Sequence, residues 1–224
     1  MSDKKYVRIV VDGKENININ MEKRFLQMAS ILNTLEHKGM NNIDNMPMLS
    51  IPFLDWLNSY DFSNHFMVEF GSGNSTNYFA DRFKKVLSYE TDQSWFDKIS
   101  SSAKENVECR LISKEDILSG NYDIFSEDNL VVFMDMNINR KNAMETLLKQ
   151  HAPDMIILDN SEWDPNNCKI IQDKGYMQIP FWGIRFEEYY DKCTSVFLKQ
   201  GYRLPYTNHK YFVPGAYVVN SDIS

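Results

Sequence analysis

The chain has 224 residues, of which 43% are hydrophobic and 25% are charged, and its aromatic residues are spread along its whole length. This composition excludes a disordered or low-complexity protein and predicts one large globular domain, or one domain with an extension. The net charge is −7, and the negative charge is concentrated in residues 41–198. Such a surface repels phosphate, which argues against a nucleic-acid partner.

The sequence shows no pattern typical of a membrane span or of an export signal. No apolar run approaches the roughly 20 residues that span a bilayer, and no apolar segment of a signal peptide follows the N-terminus. The cysteines are odd in number and widely spaced, at Cys109, Cys168 and Cys193, which is not the pattern of a disulfide framework. The sequence therefore predicts a cytoplasmic protein with no membrane partner.

The N-terminal region has its own pattern. Hydrophobic alternation on both sides of Asp12-Gly13 predicts a hairpin, and the spacing of apolar residues in 21–38 predicts an amphipathic helix. A turn-rich connection follows, and Pro52 is well placed in the first turn of a short helix. The predicted divisions are an N-terminal hairpin and helical cap at 1–58, a main domain at 59–200 and a C-terminal extension at 201–224.

From Phe66 onward, short apolar runs alternate with amphipathic segments, which is typical of a parallel sheet covered by helices on both faces. The predicted strands are 66–70, 85–90, 107–112, 129–134, 154–159, 176–182 and 193–199, and the predicted helices are 75–84, 93–104, 139–150 and 166–174. The loop between the last two strands is too short for a parallel crossover, so these strands should pair antiparallel. The expected fold is α/β, a doubly wound and mostly parallel sheet with an antiparallel C-terminal strand pair.

A glycine-containing loop joins the first core strand to its helix, in the sequence V-E-F-G-S-G-N-S-T of residues 68–76. Its glycines let a ligand approach the backbone closely, and the alternative is a tight strand-to-helix turn capped by Asn74 or Ser75. The second strand ends in Glu90, 19 residues after Gly71. This spacing suits a carboxylate that binds the ribose of a nucleoside.

Three features of the loop restrict the ligand. Glu69 precedes the first glycine, where its charge disfavours a pyrophosphate and suits a positively charged ligand. Thr76 stands where a dinucleotide fingerprint has its third glycine, and no Gly-Lys-Ser/Thr follows. These features weaken the alternative of an NAD-dependent oxidoreductase and predict a nucleoside without a phosphate chain.

Residues 66–92 resemble the first two motifs of the class I S-adenosylmethionine-dependent methyltransferases, an acidic-x-Gly-x-Gly loop and a hydrophobic strand ending in an acid. The resemblance implies a Rossmann-like fold, S-adenosylmethionine as the cofactor, and an N-terminal extension that covers the acceptor side of the crevice. The implied cofactor-binding residues are Glu69, Gly71, Ser72, Gly73 and Ser75 at the loop, Glu90 at the ribose, Asp116 near the adenine, and Asp135.

Two further strands end in polar side chains, the fourth in Asp135 and the fifth in Asp159-Asn160. These strands should be adjacent, so the three side chains can converge as hard oxygen ligands for Mg²⁺. They resemble the Asp...Asp-Asn triplet of metal-dependent O-methyltransferases, and we predict them as catalytic residues and as a candidate metal site. The alternatives are that Asp159 and Asn160 form a turn and that Asp135 hydrogen-bonds the cofactor without a metal.

The acceptor is expected to be a small molecule and not a nucleic acid. The fourth strand lacks the Asn/Asp-Pro-Pro-aromatic motif that stacks a flipped base, and the chain has no Pro-Cys dipeptide for attack on cytosine. The leading hypothesis is O-methylation of a metabolite or sugar. The alternative is a non-catalytic nucleoside-binding or interaction module of the same fold, and the sequence leaves the oligomeric state open.

Overall fold

The structure is a computed structural model that describes residues 46–126, 128–185 and 191–205, together with the backbone of two N-terminal strands. Backbone contacts divide the chain into two units, residues 1–43 with 208–224, and residues 44–207. In the first unit, β1 (Tyr6–Val11) pairs antiparallel with β2 (Lys14–Asn20), which confirms the predicted hairpin. The helix predicted at 21–38 lies outside the described residues.

The second unit alternates helices and strands. Its helices are α1 (Ile51–Leu57), α2 (Asn74–Ala80), α3 (Gln93–Ser100), α4 (Lys114–Ser119), α5 (Arg140–Gln150) and α6 (Pro165–Asp173). Its strands are β3 (Phe66–Phe70), β4 (Lys85–Glu90), β5 (Val107–Leu111), β6 (Leu130–Met134), β7 (Met155–Leu158), β8 (Met177–Gly183) and β9 (Lys192–Leu198). None of the helices in the described part of the chain has the length and apolar character of a membrane span.

The seven strands form one mixed sheet in the order β5-β4-β3-β6-β7-β9-β8. Strands β3 to β7 are parallel, and β9 pairs antiparallel with both β7 and β8. This topology confirms the Rossmann-like α/β fold and its antiparallel C-terminal pair. The register places Phe70 opposite both Tyr89 and Met134, so the carboxyl ends of β3, β4 and β6 lie level with one another.

The central strands are buried on both faces of the sheet. On one face, Val68 and Val132 belong to the main apolar core, which includes buried residues of α4, α5 and α6. On the other face, Phe133 of β6 contacts Phe79 of α2, with ring centroids 5.1 Å apart. Burial on both faces explains why these strands read as continuous apolar runs without alternation.

The observed helix bounds differ by more than one residue from the predicted ones at two helix ends. Helices α2 and α3 end at Ala80 and Ser100, four residues earlier than predicted. After α2 the chain must turn to enter β4, and the Lys84 N–H donates to the His65 carbonyl at 2.9 Å instead of continuing the helix. Helix α4 was not predicted. It has only six residues, too few for a periodic apolar pattern to be visible.

Residues 46–58, which we assigned to the N-terminal cap, lie within the second unit. Helix α1 packs on β8, where the rings of Phe53 and Trp56 contact Phe181 at centroid distances of 6.0 Å and 5.2 Å. Pro52 lies in the first turn of α1, as expected. The functional division into a cap, a main domain and an extension stays a prediction.

Candidate functional site

A cavity of about 500 Å³ opens at the carboxyl ends of β3 and β6, the edge of the sheet where open α/β folds bind ligands. Its lining residues come from the segment before α1, the glycine loop, α3 and the end of β6. They are Met48, Leu49, Gly71, Ser72, Gly73, Asn74, Ser75, Trp95, Lys98, Phe133 and Asp135. Five of the predicted site residues therefore line one cavity.

The two glycines of the loop have different roles. Gly71 has a φ of +103°, and a β-carbon there would lie 2.6 Å from the carbonyl oxygen of Asp135, so glycine is needed for the loop to approach the end of β6. Gly73 has an extended backbone, and a β-carbon there would meet only the Ser75 hydroxyl, at 3.7 Å. Gly73 therefore keeps space in the cavity open and is not required by the backbone conformation.

Glu69 is fully buried beneath the loop. Its carboxylate accepts hydrogen bonds of 2.5–2.6 Å from the hydroxyls of Ser75, Thr76 and Ser88. Burial raises the pKa of Glu69 to about 7, against the effect of these hydroxyls. The geometry gives Glu69 a role in supporting the loop from below, and its direct contact with a ligand stays a prediction.

Glu90 links the glycine loop to the loop that follows β4. Its Oε2 accepts a hydrogen bond from the Ser72 N–H at 3.1 Å, and its Oε1 accepts from the N–H groups of Thr91 and Asp92 at 2.6 Å and 2.9 Å. The carboxylate is therefore held by the backbone beside the loop. Carboxylate oxygens have about four acceptor positions in total, so one remains available for a ribose hydroxyl.

Asp116, the residue predicted near the adenine, lies in the first turn of α4. Its N–H donates to the Ser113 hydroxyl at 3.0 Å, and that hydroxyl donates back to its carboxylate at 2.6 Å. The other carboxylate oxygen accepts from the Asn121 amide at 2.7 Å. These bonds hold the pKa of Asp116 below its ordinary value and give the residue a helix-capping role.

Six residues of the cavity wall were not among the predicted site residues, and two of them, Trp95 and Lys98, lie on α3. The Trp95 indole N–H donates to the Ser72 carbonyl at 2.5 Å, which fixes the ring beside the loop while 39% of the residue stays exposed. The Lys98 ammonium lies 4.3 Å from the centre of this ring. The sequence did contain a signal for this wall. Asp92 is a typical N-cap residue and marks the start of α3, and Trp95 and Lys98, three residues apart, then lie on one face of that helix.

Asp135 lies in the cavity wall, and its carboxylate is held by an arginine of the following helix. Arg140 Nη2 donates to Asp135 Oδ1 at 2.9 Å, and Arg140 also donates to the backbone carbonyls of Met136 and Asp159 at 2.9 Å and 2.7 Å. Arg140 therefore ties the ends of β6 and β7 together. Burial raises the pKa of Asp135, although the positive charges of Arg140 and Arg185 oppose this effect.

Asp159 follows β7 and is fully buried. Its Oδ2 accepts from Arg185 Nη1 at 3.1 Å, and its Oδ1 accepts from the Thr194 hydroxyl at 2.7 Å. With the Asn160 amide oriented to satisfy its neighbours, its nitrogen donates to Asp159 and its oxygen accepts from Arg185. Burial and the nearby charge of Asp135 raise the pKa of Asp159, whereas Arg185 and Thr194 lower it.

The arrangement of the predicted metal ligands disfavours a cation, and the metal site stays a prediction. The carboxylates of Asp135 and Asp159 are each paired with a guanidinium group, whose charge repels a divalent cation. In the part of the chain that the structure describes, no group of three or more His, Cys, Asp or Glu side chains is placed to hold a metal. The residues present do not fit Mg²⁺, and the arginines supply the positive charge instead.

Comparisons with known proteins identify the fold. No family model matches the sequence, and no curated protein matches it. Two of the similar solved structures have TM-scores above 0.5. One is precorrin-6y C5,15-methyltransferase from Geobacter metallireducens, with a TM-score of 0.52, 12% identity, and coverage of 65% of this chain and 87% of the other.

The other is an O-methyltransferase from Bacillus cereus in complex with SAH, with a TM-score of 0.51, 19% identity, and coverage of 76% of this chain and 91% of the other. The fold is that of these methyltransferases. The resemblance drawn from the glycine loop and Glu90 is therefore confirmed at the level of fold. The expected small acceptor, and the absence of a nucleic-acid partner, stay predictions.

Proposed function

We propose that the protein is an S-adenosylmethionine-dependent methyltransferase that methylates a hydroxyl oxygen of a small molecule, such as a metabolite or sugar. The observation that carries this proposal is the cavity of about 500 Å³ over the glycine loop. Its volume is in the range of small-molecule sites, and it opens at the strand ends where this kind of sheet binds nucleosides.

The charge of the site supports this cofactor over a dinucleotide. Glu69 lies beneath the loop, and the structure describes only neutral hydroxyls as its hydrogen-bond partners. Asp135 in the cavity wall is paired with Arg140, so the negative charge beneath the loop comes from Glu69. S-adenosylmethionine, when bound, supplies an electrophilic methyl group on a positively charged sulfur, and negative charge stabilises that sulfur while it repels a pyrophosphate.

The roles of the loop residues follow from their positions. Gly73 leaves open space in the cavity, and Ser72 and Ser75 offer polar groups at its floor. Glu90 accepts a hydrogen bond from one ribose hydroxyl at its remaining acceptor position. Trp95 contributes a partly exposed apolar ring at the edge of the same cavity, where it flanks the nucleoside.

Asp135 is the proposed general base. Its position in the cavity wall would allow its carboxylate to take the proton from an acceptor hydroxyl while the bond from that oxygen to the methyl carbon forms and the methyl–sulfur bond breaks, with S-adenosylhomocysteine as the leaving group. Burial raises the pKa of Asp135, which makes the carboxylate a stronger base, and Arg140 fixes its orientation. Most of the rate enhancement would come from positioning the acceptor in line with the methyl group.

A second function remains open, that of a non-catalytic nucleoside-binding module. The observation that favours it is that both strand-end carboxylates are held by guanidinium groups, Asp135 by Arg140 and Asp159 by Arg185. A base engaged in an ion pair accepts a proton less readily. Binding of the cofactor without methyl transfer to any acceptor would support this alternative.

The test is calorimetric titration of the purified protein with S-adenosylmethionine, S-adenosylhomocysteine and NAD. The proposal expects both sulfur nucleosides to bind and NAD not to bind. Absence of binding by both sulfur nucleosides would reject the methyltransferase proposal. Methyl transfer is then measured with radiolabelled cofactor and a panel of hydroxylated metabolites, with Asp135→Asn as the inactive control.

A further inference from the structure

Residues 46–51, the wall segment, form one side of the cavity and lead into the first residue of α1, Ile51. Met48 and Leu49 of this segment line the cavity. Leu49 and Ser50 are almost completely buried, so the wall segment packs closely against the rest of the second unit. A ligand in the cavity is therefore enclosed on this side by the wall segment.

Backbone groups of β8 and its continuation hold the end of the wall segment next to α1. The Ile51 N–H donates to the Ile184 carbonyl at 2.9 Å, and the Ser50 hydroxyl donates to the Phe181 carbonyl at 2.9 Å. At the opposite end, the Asn74 amide of the glycine loop donates to the Met46 carbonyl at 3.3 Å. The wall segment is thus attached to two different parts of the sheet edge.

Two further anchors are side chains, and both depend on Asp159. Thr194 Oγ1 accepts from the Ser50 N–H at 3.1 Å and donates to Asp159 Oδ1 at 2.7 Å. Arg185 Nη1 donates to the Met48 carbonyl at 2.7 Å and to Asp159 Oδ2 at 3.1 Å. Each carboxylate oxygen therefore orients one side chain that grips the backbone of the wall segment.

We propose that Asp159 is a positioning residue that holds the wall segment over the cavity through Arg185 and Thr194. Loss of its carboxylate removes the partner that orients both side chains and lets the wall segment open locally, which speeds release of a cofactor from the cavity. The release of cofactor rests on the proposed function, whereas the attachment of the wall segment does not. Asp159 is not among the residues that line the cavity, so it acts on a ligand there through neighbouring residues, of which Arg185 and Thr194 contact the wall segment.

Hydrogen–deuterium exchange of the full chain tests the attachment without any ligand. The N–H groups of Ser50 and Ile51 are hydrogen-bonded in the closed wall segment and exchange only when it opens. In Asp159→Asn, exchange in peptides covering 46–51 should rise by about tenfold or more, while peptides of β3 and β6 keep the wild-type rate. Unchanged exchange at 46–51 in a folded variant would overturn the proposal.

A second pair of variants keeps the test independent of any general loss of stability. Thr194→Val preserves shape but removes the hydroxyl that joins Ser50 to Asp159, and Thr194→Ser restores it. Valine should reproduce the local opening and serine should reverse it. Equal exchange at 46–51 in the valine and serine variants would also overturn the proposal.

Asp154 provides a matched acidic control at the opposite end of β7. It accepts a hydrogen bond from the Leu130 N–H at 3.1 Å and lies near Lys199, away from the wall segment. Asp154→Asn removes a comparable carboxylate and should leave exchange at 46–51 at the wild-type rate. A rise equal to that of Asp159→Asn would show a general structural effect and reject a positioning role.

Stopped-flow measurement of S-adenosylhomocysteine release completes the experiment. Release should be about tenfold faster from Asp159→Asn and Thr194→Val than from wild type and Thr194→Ser. If wild type binds no sulfur nucleoside but exchange still rises at 46–51, the proposed function fails and the attachment of the wall segment stands. If ligand binds and release is unchanged in both variants, the control of release is rejected.

Discussion

The Ser75 hydroxyl donates a 2.5 Å hydrogen bond to Glu69, and so joins the first turn of α2 to the buried end of β3. Thr76 and Ser88 donate to the same carboxylate. Within the described residues, the hydrogen-bond partners of Glu69 are all neutral hydroxyls, and Glu69 forms no ion pair. The glycine loop is therefore built over a buried acid whose protonation state depends on pH.

Glu69 should make the free energy of unfolding fall as pH rises from about 4.5 to about 7. Burial raises the pKa of Glu69 from 4.5 to about 7, so the folded chain holds this proton more tightly than the unfolded chain. The resulting stabilisation is complete below pH 4.5 and is lost through pH 7, on the order of 3 kcal/mol. Chemical denaturation of wild type and Glu69→Gln across this range measures it, and equal pH slopes in the two proteins would contradict the prediction.

Gly73→Val should abolish cofactor binding and leave the melting temperature nearly unchanged. A side chain there meets no close protein atom in an extended backbone, and it fills space in the cavity. Gly71→Ala is the matched control, and it should lower the melting temperature. Its β-carbon would collide with the Asp135 carbonyl, and its backbone has a left-handed φ. Calorimetry measures cofactor binding and thermal melting measures stability. Normal cofactor binding by Gly73→Val would show that the loop is only a strand-to-helix turn.

Glu90→Ala should weaken S-adenosylmethionine binding by about 1–3 kcal/mol, because the ribose hydroxyls lose their charged acceptor. It should also lower stability, since three backbone N–H groups lose the carboxylate that holds them. Glu108→Ala removes an acid from the exposed edge strand β5 and serves as the control. An unchanged dissociation constant for Glu90→Ala would show that the ribose lies elsewhere.

Chelation should leave methyl transfer unchanged, and Mn²⁺ should show no stoichiometric binding by electron paramagnetic resonance. The reason is that Arg140 and Arg185 already pair with the carboxylates of Asp135 and Asp159. If activity is lost in EDTA and restored by Mg²⁺, this expectation is wrong and Asp135 and Asp159 bind a metal.

The sequence determined the α/β fold and the position of the glycine loop. Continuous apolar runs, amphipathic segments and the short connection between β8 and β9 are local patterns, and together they predict a sheet covered on both faces. The loop at Gly71 and the acid at Glu90 were visible for the same reason, because spacing along the chain fixes their places at neighbouring strand ends.

Only the tertiary structure decided what the polar side chains contact. Arg185 and Thr194 reach Asp159 across 26 and 35 residues, and Arg140 reaches it from 19 residues away. No local pattern records the distant partners of Asp159, whereas the arginine that pairs with Asp135 lies only five residues later along the chain, at Arg140. A buried carboxylate needs a partner because it has lost its contacts with water. Removal of one member of a buried ion pair costs on the order of 3–5 kcal/mol.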